Sequence, residues 1–181
     1  HHVPAVAEVD GRTLVYAPVS GQPDTEECQL AALYAENGSQ RWSYGIPPSD
    51  CAIHAVADPT VADYDDDGRV EVLAATTEEV LAAYEPLSGT VEFEFDLTSY
   101  GYTQPVVADV TGDDRQEIVV VDVRGTVFVV RPNGTMVWSR QLDSYTWGQP
   151  AVADFDGDGR PEVAVGAGGA GKLHLFDHDG T

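Results

Sequence analysis

The hydrophobic residues of this 181-residue chain fall into short, valine-rich runs. Gly, Pro and Asp separate these runs at intervals of about 8–12 residues, which is typical of strands joined by turns. Some stretches alternate apolar and polar residues, as in "VEFEF" (91–95), and this alternation predicts a strand with one buried face. Dipeptides such as Asn37-Gly38 and Asn133-Gly134 precede such stretches and are hairpin-turn signals. Helical spacing is hard to find, so the pattern predicts an all-β chain.

The strand pattern repeats along the chain. Three segments align without a gap: "DPTVADYDDDGRVEVLAAT" (58–76), "TQPVVADVTGDDRQEIVVVD" (103–122) and "GQPAVADFDGDGRPEVAVGA" (148–167). Their anchor residues Asp63, Asp109 and Asp154 lie 46 and 45 residues apart, and a shorter copy at 2–18 carries Glu8 in the anchor position. Each copy continues into a second apolar run, a third run, a turn and an alternating strand. Each repeat therefore predicts four short antiparallel strands.

Four strands in each repeat of about 45 residues are typical of a propeller blade. We predict an all-β fold, a β-propeller of four-stranded antiparallel blades, with about four blades at approximately 2–46, 52–97, 103–143 and 148–181. The last blade is expected to be incomplete, because only Thr181 follows its final turn. The chain would be one propeller domain or part of one, and self-association or further blades would close the ring. A β-sandwich is the main alternative, but it needs no identical repeats.

An acidic loop lies between the first two strands of three repeats. We call these acidic loop 1 (63–71), acidic loop 2 (109–117) and acidic loop 3 (154–162). Loop 3 places aspartates at positions 1, 3 and 5 and a glutamate at position 9, and Gly159 allows the chain to wrap around an ion. Several charged oxygen ligands favour calcium over softer metals.

The predicted calcium ligands are side-chain oxygens at positions 1, 3, 5 and 9 and the backbone carbonyl at position 7. They are Asp63, Asp65, Asp67, Arg69 and Glu71; Asp109, Thr111, Asp113, Arg115 and Glu117; and Asp154, Asp156, Asp158, Arg160 and Glu162. Loop 2 is the weakest match, since Thr111 replaces an acid and Asp114 replaces the glycine. The prediction is two calcium sites, in loops 1 and 3, with loop 2 left open as a third.

An EF-hand and a solvated acidic surface are the two other interpretations of these loops. An EF-hand needs glutamate at position 12 and flanking helices, whereas position 12 is Ala74, Val120 or Val165 and strands follow. The loops could also be solvated acids on an acidic surface. Against this, all three loops repeat the acids at positions 1, 5 and 9, and two of them also have the glycine.

The segments "DYDDDGRVEVL", "DVTGDDRQEIV" and "DFDGDGRPEVA" resemble the FG-GAP/VCBS class of propeller repeat. This family is known from the propeller of integrin α chains and from many secreted microbial proteins. The resemblance spans about residues 2–181, although glutamate replaces the family's aspartate at position 9. It implies calcium in the loop between the first two strands of a blade, and an extracellular or cell-surface location.

Charge limits the partners of the chain. It carries 31 acids against nine bases, a formal net charge of -22, and Lys172 is its one lysine. Such a surface repels nucleic acid and anionic membranes, so we expect no nucleic-acid partner and no membrane insertion. The composition also resembles that of halophilic proteins. Cys28 and Cys51 could form a disulfide outside the cell or remain thiols inside it.

Candidates for catalysis are few, because His54, His174 and His178 stand without a nucleophile motif. Aromatic residues recur before the inner strands, where they could pack between blades or form a ligand face: Trp42, Tyr44, Tyr100, Tyr102, Tyr145 and Trp147. We predict a calcium-stabilised extracellular module, not an enzyme, that binds a protein or a glycan in adhesion or recognition. The alternative is the propeller portion of a secreted enzyme, such as a polysaccharide lyase or a quinone-dependent dehydrogenase.

Overall fold

The computed structural model describes residues 2–19, 28–51, 55–169 and 171–181, and within these ranges it contains strands and turns but no helix. The strands in chain order are β1 (Ala5–Val9), β2 (Arg12–Val19), β3 (Cys28–Tyr34), β4 (Gln40–Ile46), β5 (Thr60–Ala62), β6 (Glu71–Ala75), β7 (Val80–Tyr84), β8 (Val91–Asp96), β9 (Val106–Ala108), β10 (Glu117–Val121), β11 (Thr126–Val130), β12 (Met136–Gln141), β13 (Ala151–Ala153), β14 (Glu162–Ala167) and β15 (Lys172–Phe176).

The strands form four antiparallel sheets in which neighbours in the sheet are also neighbours in the chain. The orders are β1-β2-β3-β4, β5-β6-β7-β8, β9-β10-β11-β12 and β13-β14-β15. The first strands of adjacent sheets contact each other, β1 with β5 and β9 with β13. These sheets are the blades of a propeller, so the predicted all-β fold of four-stranded antiparallel blades is confirmed. The fourth sheet has three strands in the described part of the chain.

The hydrophobic core lies between successive sheets. In β10, Ile118 and Val120 pack against the second sheet, whereas Val119 and Val121 pack toward the fourth. Because side chains alternate between the two faces of a strand, a strand with a sheet on both sides must be apolar at every position. This explains why the second and third strands of the repeats read as continuous Val, Leu and Ala runs rather than as alternating patterns.

The antiparallel order sorts the connections to opposite ends of the sheets. The acidic loops and the turns between the third and fourth strands lie at one end, which we call the acidic face. The turns between the second and third strands, and the connections to the next sheet, lie at the other end. Val123 and Gly168, in two of these turns, donate backbone hydrogen bonds to the carbonyl oxygens of Tyr100 and Tyr145 in the connections.

A disulfide joins Cys28, at the start of β3, to Cys51, which follows β4. It links the third strand of the first sheet to the connection that leaves that sheet. The structure thus favours the bonded form of the two alternatives that the sequence left open. Within the described part of the chain, no helix has the length and apolar character needed to cross a membrane.

Candidate metal sites and aromatic surface

Acidic loop 3 gathers four carboxylates at one point. β13 ends immediately before Asp154 and β14 begins with Glu162, so the two strands hold the ends of the loop. One oxygen from each of Asp154, Asp156, Asp158 and Glu162 lies within 4.8 Å of the others. The Asp154 carboxylate accepts hydrogen bonds from the backbone N–H groups of Gly157 (2.6 Å) and Gly159 (3.0 Å), which curl the loop around it. The predicted side chains of this loop therefore converge.

Glu162 is the buried member of this cluster. Its side chain projects from the sheet with only 4% of the residue exposed. Oε2 accepts a hydrogen bond of 2.7 Å from the Phe155 N–H, but Oε1 is buried without a hydrogen-bond partner among the described residues. An unsatisfied buried carboxylate oxygen is costly. A cation bound among the loop carboxylates would satisfy it.

Acidic loop 1 repeats this arrangement. Oxygens of Asp63, Asp65 and Glu71 lie within 4.8 Å of one another, while Asp67 is not part of this cluster. Glu71 is 4% exposed, and its Oε2 is also buried without a partner in the described structure. Burial, together with the nearby carboxylates of Asp65 and Asp67, raises the pKa of Glu71 to about 7. Without a cation, this glutamate therefore holds its proton up to a higher pH than a carboxyl group in water does.

Acidic loop 2 has the same backbone turn but different side-chain contacts. The Asp109 carboxylate accepts N–H hydrogen bonds from Gly112 (2.7 Å) and Asp114 (2.9 Å). Glu117 is fully buried, and its Oε2 accepts hydrogen bonds of 3.0 Å from the N–H groups of Val110 and Thr111. The acids of loop 2 do not form a convergent cluster like those of loops 1 and 3.

The three arginines at position 7 share one feature. Each donates its backbone N–H to the aspartate two residues earlier, with distances of 2.8 Å for Arg69, 3.2 Å for Arg115 and 2.8 Å for Arg160. These bonds fix the backbone next to the predicted carbonyl ligands. Ligation by those carbonyl oxygens stays a prediction.

The six aromatic residues that the sequence grouped together fall into two sets. Trp42 and Tyr44 lie within β4 and pack against the core of the first two sheets. The other four lie in the connections and contact one another; we call them the aromatic surface (Tyr100, Tyr102, Tyr145 and Trp147). Their spacing differs, because Tyr100 and Tyr145 each lie six residues before the next inner strand (β9 and β13), whereas Trp42 lies 18 residues before β5.

Three residues of the aromatic surface are exposed, Tyr102 is half-buried, and ring contacts join all four. The Tyr102 and Trp147 rings stack, with centroids 5.4 Å apart and an interplanar angle of 22°, and Tyr145 meets Trp147 edge-on at 6.4 Å. Trp147 is 58% exposed, Tyr145 51% and Tyr100 43%. Large aromatic side chains this exposed and this close together commonly mark a binding surface.

The histidines form surface pairs with acids. His174 lies 3.2 Å from Asp143, which also pairs with Lys172. His178 contacts Asp177 at 2.5 Å and Arg160 at 2.7 Å. His54, the third histidine considered from the sequence, lies outside the described residues. Neither described pair includes a hydrogen-bonded hydroxyl group, so the pairs do not form a nucleophile–base arrangement in the part of the chain that the structure describes.

Comparison with known proteins supports the repeat and the fold. Residues 109–165, which include acidic loops 2 and 3, match the FG-GAP-like repeat family. No curated protein matches the sequence. The predicted resemblance to this repeat class is thereby confirmed.

Several solved structures are similar to the chain. Rhamnogalacturonan lyase YesW has a TM-score of 0.66 at 14% identity, covering 98% of this chain and 41% of that one. Rhamnogalacturonan lyase PL11 from Bacillus licheniformis has a TM-score of 0.67 at 16% identity, with coverage of 98% and 41%. BamB from Moraxella catarrhalis has a TM-score of 0.56 at 17% identity, with coverage of 96% and 49%. The chain spans less than half the length of these three proteins, and at these identities only the fold is shared.

Proposed function

We propose that this chain is a calcium-stabilised β-propeller module that acts outside the cell or at its surface and binds a carbohydrate on the aromatic surface. The observation that carries the binding role is the stack of the exposed Trp147 on the half-buried Tyr102, flanked by the exposed Tyr145 and Tyr100. The disulfide between Cys28 and Cys51 supports the location, because disulfides persist in oxidising compartments.

Calcium is assigned to acidic loops 1 and 3 from their ligand chemistry. Each loop gathers at least three carboxylates, which repel one another unless a cation lies between them. In each, the buried glutamate has one oxygen without a hydrogen-bond partner, Oε2 of Glu71 and Oε1 of Glu162. Several hard oxygen ligands on one loop suit calcium. The ion would hold the first two strands of a blade together and would have no catalytic role.

The aromatic surface suits an uncharged sugar. The flat faces of Tyr and Trp offer apolar area, while the indole N–H and the phenol hydroxyls at the ring edges can bond to sugar hydroxyls. The net charge of -22 opposes polyanionic ligands such as nucleic acid. A neutral oligosaccharide meets both conditions. A protein ligand is the competing outcome of the test.

The carbohydrate role can be tested by titrating neutral oligosaccharides while following tryptophan fluorescence. Binding is expected to shift or quench the emission of Trp147, and Trp147→Ala is expected to abolish binding without changing thermal stability. Phe155→Ala is the matched control, since Phe155 is 51% exposed but lies on the acidic face. Undiminished sugar binding by Trp147→Ala, or no binding of any neutral sugar, would refute the carbohydrate proposal.

The calcium role can be tested independently by thermal unfolding at low ionic strength. Chelation is expected to lower the melting temperature, since a ligand at 100 times its dissociation constant stabilises the native state by about 2.7 kcal/mol. The double variant Glu71→Gln/Glu162→Gln should lose most of the response to calcium. A melting temperature that does not change on chelation would rule out a stabilising ion.

A second candidate function is the propeller portion of a secreted enzyme. The observation that favours it is the fold shared with two rhamnogalacturonan lyases. A lyase assay on pectic polysaccharides, and a dye-reduction assay for quinone-dependent dehydrogenation, separate this candidate from a binding module. Turnover by the chain would favour the enzyme. Mutation of a surface residue should then abolish the turnover, whereas chelation alone should not.

A further inference from the structure

Acidic loop 2 differs from the other two loops in the state of its buried glutamate. In loops 1 and 3, one oxygen of the glutamate at position 9 has no hydrogen-bond partner. In loop 2, both oxygens of Glu117 are engaged. Oε2 accepts two backbone hydrogen bonds, and Oε1 accepts a hydrogen bond of 3.3 Å from the Thr111 hydroxyl. Loop 2 therefore lacks the unsatisfied oxygen that indicates a cation in its two counterparts.

A cation from the protein itself lies at this site. Arg131 follows β11 directly and begins the turn that leads to β12. Its Nη2 donates a hydrogen bond of 2.9 Å to Oδ2 of Asp113, and its Nη1 lies 3.5 Å from Oε1 of Glu117. One guanidinium group thus contacts the acids at positions 5 and 9 of loop 2. These are two of the positions at which a calcium ion would be bound.

The equivalent position in the neighbouring sheets carries the opposite charge. The residue that follows the third strand is Glu85 after β7 and Asp177 after β15. An acid there cannot neutralise the acids of loops 1 and 3. Arg131 lies in the same sheet as acidic loop 2. In that loop position 3 is Thr111, and both carboxylate oxygens of Glu117 have hydrogen-bond partners. The charge changes in the loop and in the turn are complementary.

We infer that the Arg131 guanidinium takes the place of a divalent cation in acidic loop 2, so that the chain binds two calcium ions rather than three. This inference rests on the proposed calcium role for loops 1 and 3. Removal of the guanidinium leaves Asp109, Thr111, Asp113 and Glu117 as oxygen donors without the positive charge that contacts Asp113 and Glu117. That change should open a third site for a divalent cation.

The test counts calcium ions per chain, by titration calorimetry and by elemental analysis after gel filtration. Two ions are expected for the wild-type chain and three for Arg131→Ala. Arg131→Lys, which keeps the positive charge, should stay at two. Arg124→Ala is the matched control, because Arg124 is an exposed arginine in a turn at the opposite end of the sheet, and it should also stay at two. Adding Asp109→Asn to Arg131→Ala should return the count to two.

The outcomes separate the two proposals. No bound calcium in any variant refutes the proposed calcium role. Three ions in the wild-type chain, or two in folded Arg131→Ala, overturns the role of Arg131 and leaves calcium in loops 1 and 3 intact. A second pair of variants avoids any change at Arg131. Asp113→Asn in the wild-type chain should leave the count at two, whereas Asp156→Asn should lower it to one, and a loss of one ion in Asp113→Asn overturns the inference.

Discussion

The indole Nε1 of Trp138 donates a hydrogen bond of 2.9 Å to the carbonyl oxygen of His178, which joins β12 to the turn after β15 in the next sheet. Trp42 makes the same bond, also 2.9 Å, from β4 to the carbonyl oxygen of Pro86 after β7. Phe93 holds the corresponding third position of β8 and faces Gly134 in the turn of the third sheet. In each of the first three sheets, an aromatic residue on the fourth strand thus covers the turn that follows the third strand of the next sheet.

Replacing Trp138 tests this contact between blades. Trp138→Ala should lower the free energy of unfolding by about 3–5 kcal/mol, because it removes a large buried side chain. Trp138→Phe keeps most of the apolar volume but leaves the His178 carbonyl without its partner, so a loss of about 1–2 kcal/mol is expected. Urea unfolding gives both values. Trp147→Ala is the control and should cost less than either, since Trp147 is exposed.

Two turn glycines with the same backbone angle allow steric contact to be separated from backbone strain. Gly38 and Gly89 both have φ +71°, but a Cβ on Gly89 would lie 2.6 Å from the Trp42 ring, whereas a Cβ on Gly38 would meet nothing within 4 Å. Gly38→Ala should cost about 1 kcal/mol through the left-handed backbone alone. Gly89→Ala should cost about 1–3 kcal/mol more, because the ring must move. Equal losses in thermal unfolding would show that Trp42 does not restrict the turn.

Glu71 makes both stability and calcium binding depend on pH. Its pKa in the calcium-free folded chain is about 7, above its ordinary value of 4.5. The folded state therefore binds this proton more tightly than the unfolded state. Its contribution to stability is fully present below pH 4.5 and is lost as the pH rises through 7. Calcium needs the ionised carboxylate, so calcium affinity should fall as the pH drops below 7.

The measurement compares the wild-type chain with Glu71→Gln between pH 5 and 8. Without calcium, the unfolding free energy of the wild-type chain, measured relative to that of Glu71→Gln, should decrease as the pH rises from 5 to 8. With calcium, the wild-type chain should release protons on binding, detected as a dependence of the calorimetric heat on the buffer. Glu162→Gln is the matched control in acidic loop 3. If Glu71→Gln shows the same pH dependence as the wild-type chain, groups other than Glu71 cause that dependence.

The disulfide should contribute substantially to stability. Cys28 and Cys51 are separated by 23 residues, and closing a loop of this length stabilises the native state by about 3 kcal/mol. Reduction, or the double variant Cys28→Ala/Cys51→Ala, should lower the free energy of unfolding by about this amount. A reductant should have no further effect on the double variant. Mass spectrometry of the non-reduced chain gives the matching readout, since no free thiol is expected.

The features that repeat locally can be predicted from the residue pattern alone. Strand content follows from short Val-rich runs and turn dipeptides, and the blade architecture follows from the register of Asp63, Asp109 and Asp154. These features depend on residues close in the chain, where side-chain alternation and turn chemistry act directly. The same register located the acidic loops and placed a glutamate at the start of each following strand.

Packing between the sheets sets which chemistry each repeat carries. The Arg131 contact with Glu117 and the Trp138 contact with His178 join segments 14 and 40 residues apart, and no local period specifies them. Trp42 and Tyr44 pack against the core of the first two sheets, whereas Tyr100, Tyr145 and Trp147 face solvent, because burial depends on which sheet lies alongside. Packing between blades brings distant residues together. It therefore determines whether an acidic loop faces an arginine and whether an aromatic ring faces solvent.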